Sequence, residues 1–448
     1  WIGGKIQIDG EANGVLREGF PRYLATQFIE QKYGKEIADI ERLRQRTAYA
    51  AIVKRDAPLT IVSPLDDYFY SAVTNKGAMI WRILSKKVGQ DEFFKAIKEN
   101  SNDNNLSVNE LRSSFATHKD FLDYALTQVT DMNLRVGLPQ VSGGETKLAL
   151  SNTGAIDVTV EIVATMQNGE KMSAPATIKA KSFGEVIFKT TNKIVRAEID
   201  AEKLYPQTEY SDDVAPREFE ESDALLIVKR NFDKQEYAQA EKNALTILKL
   251  LPRFDDVRVL LARALHAQGK TTEAEREFKA VLEEKLPTAR SLAWANFGLG
   301  DINLKSGQKT PALGYFVEAI KADADYGATL AARQDRNNLN ISGQVEESIK
   351  SFFAQFDKAA LSGNKSNLDA LIISGEMTRF SGGIAGQAQE WTSKVLQVDK
   401  IDANNIMVEV QLNIRFINKS AESGFAVFRL VKIGNNWKLG GIEMFEVR

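Results

Sequence analysis

The spacing of hydrophobic residues changes character three times along the chain. In its first part, VLREGFPRYLATQFIEQKY and NKGAMIWRILSKKVGQDEFFKAIKEN carry apolar residues three and four positions apart, and Gly89 interrupts the second segment. This is the period of amphipathic helices. Similar patterns continue to about residue 130. We therefore expect an all-helical block here, with Pro21 in the first turn of a helix, where proline is tolerated.

From Val136 onward, apolar and polar residues alternate with a period of two. The segments TKLALSNTG, IDVTVEIVATMQNGEKM, ATIKAKSFGEVIFKT and KIVRAEID are rich in Val, Ile and Thr, and turn sequences separate them. This pattern predicts a small antiparallel β-sandwich. The polar, proline-containing stretch LYPQTEYSDDVAPREFEES that follows is interpreted as a linker.

Helical spacing then returns together with an internal repeat. EYAQAEKNALTILKLLP aligns with TTEAEREFKAVLEEKLP, so that Ala240 and Ala274 lie 34 residues apart and each run ends at a proline, Pro252 or Pro287. KTPALGYFVEAIKAD has the same form. A helix-turn-helix unit of this length, with small residues where helices cross, resembles the tetratricopeptide repeat. Such units stack to bury a shared core, and the resemblance implies an α-solenoid.

The last part begins with two helical patterns, QVEESIKSFFAQFDKAALSG and KSNLDALII, and ends with four long alternating segments separated by turns at DANN and IGNN. Helices followed by a twisted β-meander resemble the nuclear-transport-factor-2-like fold, an α+β cone. That cone could hold an apolar pocket, although no His–Asp pair marks it as catalytic.

Together these patterns predict a multidomain α+β protein. We expect a helical block over residues 1–133, a β-sandwich over 134–205, a linker and helical repeats over 206–340, and the cone-like α+β domain over 341–448.

Composition narrows the possible functions. The 58 basic and 60 acidic residues give a net charge of −2, so no basic field favours nucleic acid. No apolar stretch is long enough for a membrane-spanning helix. Cysteine is absent, which excludes disulfides, thiol catalysis and Cys-ligated zinc. The two histidines, His118 and His266, are 148 residues apart and cannot form a His-Glu-x-x-His zinc motif.

One combination of phrases points to specific chemistry. LREGFPRYLATQFIEQKYG, followed by NKGAMIWRILSKKVGQDEFFKAI, resembles the M1 family of zinc aminopeptidases, in which a His-Glu-x-x-His helix precedes a glutamate in a phrase like NEGFAEYL. The resemblance covers about residues 1–212, including the β-rich segment at the place of the family's β-sandwich. The second phrase matches the family at Lys76, Gly77, Ala78, Leu84, Gly89 and Phe93.

The resemblance implies a thermolysin-like catalytic domain of which this chain holds the helical half. Glu18 falls at the family's position for the third zinc ligand, and Trp1 would follow two positions after the second histidine. We therefore expect zinc in an intact parent protein but none in this chain, and no peptide hydrolysis by this truncated form alone. In the family, zinc activates a water and the glutamate between the histidines acts as the general base.

Three positions depart from the family pattern. Arg17 replaces an asparagine before the glutamate, and Pro21 takes a position often held by alanine. Thr74 stands where the family has a tyrosine that hydrogen-bonds the oxyanion of the transition state. Tyr70, or its neighbour Tyr68, could supply that phenol instead, and Tyr70 is the catalytic candidate; both could also simply pack in their loop.

The leading hypothesis is thus the C-terminal portion of a zinc-dependent aminopeptidase acting on peptides. The alternative is a pseudo-peptidase scaffold that binds protein or peptide partners through its repeats, which Arg17 and Thr74 favour. A third possibility is ligand binding by residues 345–448. An exported or periplasmic location of the protein in a bacterium is implied only by the resemblance to this family.

Overall fold

A computed structural model describes residues 5–219, 222–323, 325–339 and 345–448. Over these residues the chain is a mixed helix and sheet multidomain protein with sixteen α-helices and four small sheets, which confirms the α+β prediction at that level. Its contacts group into two compact units, Trp1–Gly298 and Leu299–Arg448. The boundary expected at 340/341 and the role assigned to Trp1 fall on residues outside the described ranges.

The first part of unit one is helical, as expected, with one additional pair of short parallel strands. Gly34 and Gly89 each separate two helices. Their φ angles are positive, 98° and 95°, a conformation that glycine adopts without steric cost. Pro21 lies in the first turn of its helix. The elements are β1 (Gln7–Asp9), a π-helical turn Val15–Gly19, α1 (Phe20–Tyr33), α2 (Lys35–Ala50), a second π-helical turn Ser71–Lys76, α3 (Gly77–Val88), α4 (Gln90–Asn100), β2 (Asn105–Ser107), α5 (Val108–Ser114) and α6 (Lys119–Thr127).

Aromatic side chains form the centre of this helical part. Phe20 of α1 packs on Trp81 of α3 and Phe93 of α4, with ring centroids 5.9 and 6.0 Å apart. All three are at most 1 % exposed. The helix that follows the first π-helical turn is thereby fixed against α3 and α4.

Two four-stranded antiparallel sheets follow. One has the order β10-β9-β6-β7; in the other, β5 pairs with β3 and β4 on one side and with β8 on the other. Buried side chains of both sheets belong to one hydrophobic core. The strands are β3 (Leu134–Val136), β4 (Gln140–Ser142), β5 (Glu145–Asn152), β6 (Val158–Met166), β7 (Lys171–Ile178), β8 (Ser182–Lys189), β9 (Ile194–Ile199) and β10 (Val214–Ala215).

The stretch interpreted as a solvated linker differs from that expectation between residues 204 and 215. Tyr205 and Gln207 are buried, and β10 pairs with β9. Asp213, also buried, forms an ion pair with Arg46 of α2 and accepts a hydrogen bond from the Gln207 side chain at 3.0 Å. The polar residues here bond to one another rather than to solvent.

Antiparallel helices complete unit one. Ala240 and Ala274, the residues that define the 34-residue spacing, are both fully buried. A Cβ on Gly298 would lie 2.3 Å from the Phe278 ring, so small residues occupy the helix contacts. The helices are α7 (Ala224–Asp233), α8 (Tyr237–Leu250), α9 (Asp255–Ala267), α10 (Thr271–Leu282) and α11 (Ala289–Lys305), and the boundary between the units falls within α11.

Unit two contains a four-stranded antiparallel meander with helices on both faces. Aromatic residues of α14, α16 and the sheet, including Phe356, Phe380 and Trp391, fill one side. On the other side, Leu330 of α13 packs against a small cluster of Phe425, Val427 and Met444. The elements are α12 (Lys309–Ala322), α13 (Tyr326–Asn338), α14 (Glu347–Leu361), α15 (Lys365–Asp369), α16 (Glu376–Ile384), β11 (Ala388–Lys400), β12 (Asn405–Phe416), β13 (Glu422–Ile433) and β14 (Asn436–Val447).

Within the described part of the chain, every helix is too short or too polar to cross a membrane, which bears out that prediction.

Candidate functional site

Glu18 lies in the π-helical turn Val15–Gly19, immediately before α1. The carbonyl oxygen of Val15 accepts two hydrogen bonds: one from the backbone N–H of Phe20, five residues on, and one from the indole Nε1–H of Trp81 at 2.9 Å. The Glu18 side chain is half-buried, whereas Arg17 is exposed. Single π-helical turns inside helices are frequently found at functional sites.

The second resembling phrase also contains a π-helical turn. Thr74 lies within Ser71–Lys76, directly before α3, and is half-buried. The side-chain amide of Asn75 donates to the carbonyl oxygen of Ser71 at 3.0 Å. A side chain thus bonds a carbonyl within this widened turn.

The two turns cross in direct backbone contact. A Cβ added to Gly19 would lie 2.6 Å from the carbonyl oxygen of Val73 and 2.9 Å from the Cα of Gly77. Only glycine allows this approach, because the atoms it would meet are backbone atoms. Gly19 follows Glu18 and Val73 precedes Thr74, so the crossing brings the turns that carry these two residues together.

A buried ion pair anchors the second turn. Lys76 and Asp56 are almost fully buried, and the Lys76 Nζ lies 2.8 Å from Asp56 Oδ2. The same carboxylate oxygen accepts the backbone N–H of Thr130 at 2.8 Å, and the hydroxyl of Thr130 accepts a hydrogen bond from Tyr49 at 2.5 Å. Burial lowers the pKa of Lys76, against the attraction of Asp56, and burial together with Asp56 raises the pKa of Tyr49.

Lys76 thus bonds to Asp56 and, at 3.5 Å, to the backbone carbonyl oxygen of Gln128. A cavity of about 20 Å³ beside it is also lined by Tyr124, Gln128 and Thr130, and this volume suits a single water molecule.

The catalytic candidate Tyr70 directly precedes the second π-helical turn. Its side chain is 65 % exposed, and its ring packs edge-on against Phe69 at 5.3 Å. Tyr68 is half-buried, with the guanidinium of Arg55 over its ring at 5.5 Å. Of the two tyrosines considered from the sequence, Tyr70 is the one more open to a ligand.

The described residues hold no group of three or more His, Cys, Asp and Glu side chains that could bind a metal. His118 lies in a 3₁₀ turn, Ala116–His118, and His266 lies in α9. Glu18 suits the carboxylate place in a zinc site, since zinc accepts carboxylate oxygen and the backbone of this turn is held by two contacts. It would be one ligand among several.

A second surface lies on helices α7, α9 and α11. The guanidinium of Arg263 in α9 lies 3.5 Å from the ring centroid of Trp294 in α11 and 4.6 Å from that of Phe232 in α7. All three side chains are half-buried. This stack joins three helices and presents aromatic edges and a cation together.

No protein-family model and no curated protein matches this chain. The sequence singled out Glu18, Thr74 and Tyr70, but not Gly19 and Trp81, which contact the backbone of the two turns. Both lie inside the quoted phrases. A glycine in the middle of an otherwise helical pattern was the available signal for a close contact.

Proposed function

We propose that this chain is the C-terminal part of an M1-like zinc peptidase, to which Glu18 contributes the carboxylate ligand. One observation supports this most: the two phrases that carry the resemblance fold into two π-helical turns that cross at Gly19 and Gly77. Gly19 and Gly77, which are 58 positions apart in the sequence, thus meet directly beside the turn that carries the glutamate. On this proposal the helical part is half of a thermolysin-like domain, followed by a β-sandwich, tetratricopeptide-like repeats and a nuclear-transport-factor-2-like domain.

On this proposal, residues of the chain would have three roles: zinc binding, support of the turn, and hydrogen bonding to the substrate. Glu18 would hold zinc together with two histidines encoded upstream, and zinc would polarise the peptide carbonyl and acidify a water. Trp81 and Gly19 keep the Glu18 turn in place. Tyr70, exposed at the edge of the second turn, would donate a hydrogen bond to the substrate carbonyl oxygen in place of the phenol that Thr74 lacks.

The test begins with the coding DNA directly upstream of Trp1. If it encodes His-Glu-x-x-His followed by one residue before Trp1, the longer chain is produced and its zinc content measured. We expect one zinc per chain. In Glu18→Gln, the zinc affinity should fall by about a hundredfold or more. Tyr70→Phe should lower kcat by about a hundredfold with little change in KM, and Tyr33→Phe at the end of α1 serves as the control.

Three outcomes would contradict the proposal. One is an upstream sequence without the histidines, and another is equal zinc affinity in Glu18→Gln and the parent. The third is robust hydrolysis of aminoacyl substrates by the present 448-residue chain supplied with zinc, since Glu18 alone cannot form the site.

The second candidate function is a scaffold that binds protein or peptide partners through the repeats. The stack of Phe232, Arg263 and Trp294 favours it, because half-buried aromatic and arginine side chains are common anchors of interfaces. Peptide libraries panned against the chain would identify ligands. Trp294→Ala should then abolish their binding while Glu18→Gln preserves it; the reverse pattern would reject the repeats as the binding surface.

A further inference from the structure

Helix α2 lies between α1 and the repeat helices and carries a continuous series of ion pairs. The Arg22 side chain of α1 contacts Glu41 Oε2 at 3.0 Å. The other oxygen of Glu41 pairs with Arg44. The Arg44 guanidinium reaches Asp255 Oδ1 and Asp256 Oδ2, both at 2.7 Å, in the first turn of α9. We call these five residues the Arg44 relay.

The inner members of the relay are shielded from solvent. The side chains of Glu41, Arg44 and Asp255 are 12 %, 20 % and 3 % exposed. Burial by itself would lower the pKa of Arg44, but Asp256, Asp255 and Glu41 outweigh it and raise that pKa. Ion pairs in such surroundings are screened by salt much less than pairs on the surface.

The relay also fixes the repeats internally. The second carboxylate oxygen of Asp255 accepts the backbone N–H of Thr288 at 2.8 Å and its hydroxyl at 3.1 Å, directly before α11. Both aspartates lie at the N-terminus of α9, where the helix dipole favours negative charge. Arg44 is thus held by a site that joins the starts of two repeat helices.

At its other end, the relay meets α1, the helix that directly follows the turn with the proposed metal ligand. Arg22 follows Glu18 by four residues, which is about one helical turn. The Arg44 fork needs two carboxylates at fixed positions, and a planar guanidinium can contact both at once, whereas a lysine ammonium acts as a point charge. Any shift of α9 relative to α2 would therefore break at least one of these bonds.

From this geometry we propose that Arg44 is a positioning residue, which holds the repeat helices in a fixed place relative to the Glu18 turn. A peptide segment bound by the repeats would then be presented to the Glu18 site at a constant distance. The role of Glu18 as a zinc ligand rests on the proposed function, whereas the coupling of α9 to α1 through Arg44 does not depend on it.

Hydrogen exchange of backbone amides in the intact chain tests this coupling. In Arg44→Gln we expect amides of residues 18–26 and 254–260 to exchange about fivefold faster or more, because both ends of the relay open more often. Arg44→Lys should give an intermediate increase. The control is Arg253→Gln, which removes the pair of Arg253 with Glu284 within the repeats and should leave residues 18–26 unchanged.

Two milder variants separate a relay from independent contacts. If Glu41→Gln and Asp256→Asn act through one network, the double variant should speed exchange in residues 18–26 no more than the stronger single variant does. Multiplying effects, or unchanged exchange there in Arg44→Gln, would overturn the inference. Neither measurement needs zinc, so failure of the peptidase proposal in the zinc assay and failure of the coupling are distinct results.

Discussion

The glycine crossing at the candidate site gives a direct test of the structure. In Gly19→Ala, the new methyl group would lie 2.6 Å from the Val73 carbonyl oxygen and 2.9 Å from the Gly77 Cα. Both atoms belong to the backbone of the other segment, so neither can rotate away. The two segments must move apart, and the close contact of Val15, Trp81 and Phe20 behind them must loosen.

The expected cost follows from two opposing effects. Overpacking in a tight contact usually costs about 1–3 kcal/mol, and alanine gains about 1 kcal/mol over glycine inside a helix. Because the clash is with backbone atoms that cannot move without shifting their whole segment, we expect the overpacking to dominate and the free energy of unfolding to fall by about 1–2 kcal/mol. Gly314 in α12 provides the matched control, since a Cβ there has no atom within 4 Å. Gly314→Ala should stabilise by up to about 1 kcal/mol.

Urea unfolding followed by tryptophan fluorescence measures both variants, because Trp81 lies beside the crossing, and Trp391 and Trp437 lie in the unit that contains Gly314. Gly19→Ala should lower the urea midpoint of the transition that reports on Trp81, and Gly314→Ala should not. If Gly19→Ala unfolds at the same or a higher urea concentration than the parent, the two turns are not in backbone contact. The placement of Glu18 beside the Thr74 turn would then be wrong.

Two further predictions concern buried charges in unit one. Lys76→Met should lower the free energy of unfolding by about 3–5 kcal/mol, because it leaves Asp56 buried without its partner. Adding Asp56→Asn should restore much of that stability. Equal urea midpoints for the single and double variants would contradict this prediction. Burial tends to raise the pKa of Glu198, but Lys203 and Arg196 outweigh it and lower that pKa to about 2. The carboxylate therefore stabilises the fold above pH ~4.5 by about 3 kcal/mol, a contribution that fades as the pH falls toward 2. The stability difference between the parent and Glu198→Gln should shrink over that range, and a constant difference would refute the assignment.

Much of the secondary structure could be predicted from the sequence because its period is local. Alternation in β5 matches an alternation of exposed and buried side chains, and Gly89 separates two helices as expected. These features need only the neighbouring residues. The class of each segment follows from which of its positions can be buried together.

Other features depend on partners far away in the sequence. The stretch around Asp213 looks polar enough for a linker, but Arg46, 167 residues earlier, pairs with it in the interior. We expected α13 to be the last helix of the repeats. Instead, its Arg333 and Arg336 pair with the fully buried Glu409 of β12, in the sheet that follows in the sequence. Composition alone does not reveal that such charges are buried, because the compensating charge lies elsewhere in the chain.

The same dependence explains why the shape of the candidate site was not foreseen. A 3.6-residue pattern runs through Val15–Gly19 without a break, and the widened turn is defined by the Trp81 indole and by the approach of Gly77. Glu18 is a candidate only through the resemblance, whereas the geometry around it depends on contacts between two segments. That geometry is formed by backbone contacts, so it is equally compatible with a peptidase and with a non-catalytic scaffold. What separates them is the Glu18 carboxylate, which a zinc site needs as a ligand and the crossing does not touch. Glu18→Gln should therefore leave the urea midpoint unchanged in either case, and only a change in metal binding by the longer chain would identify the peptidase.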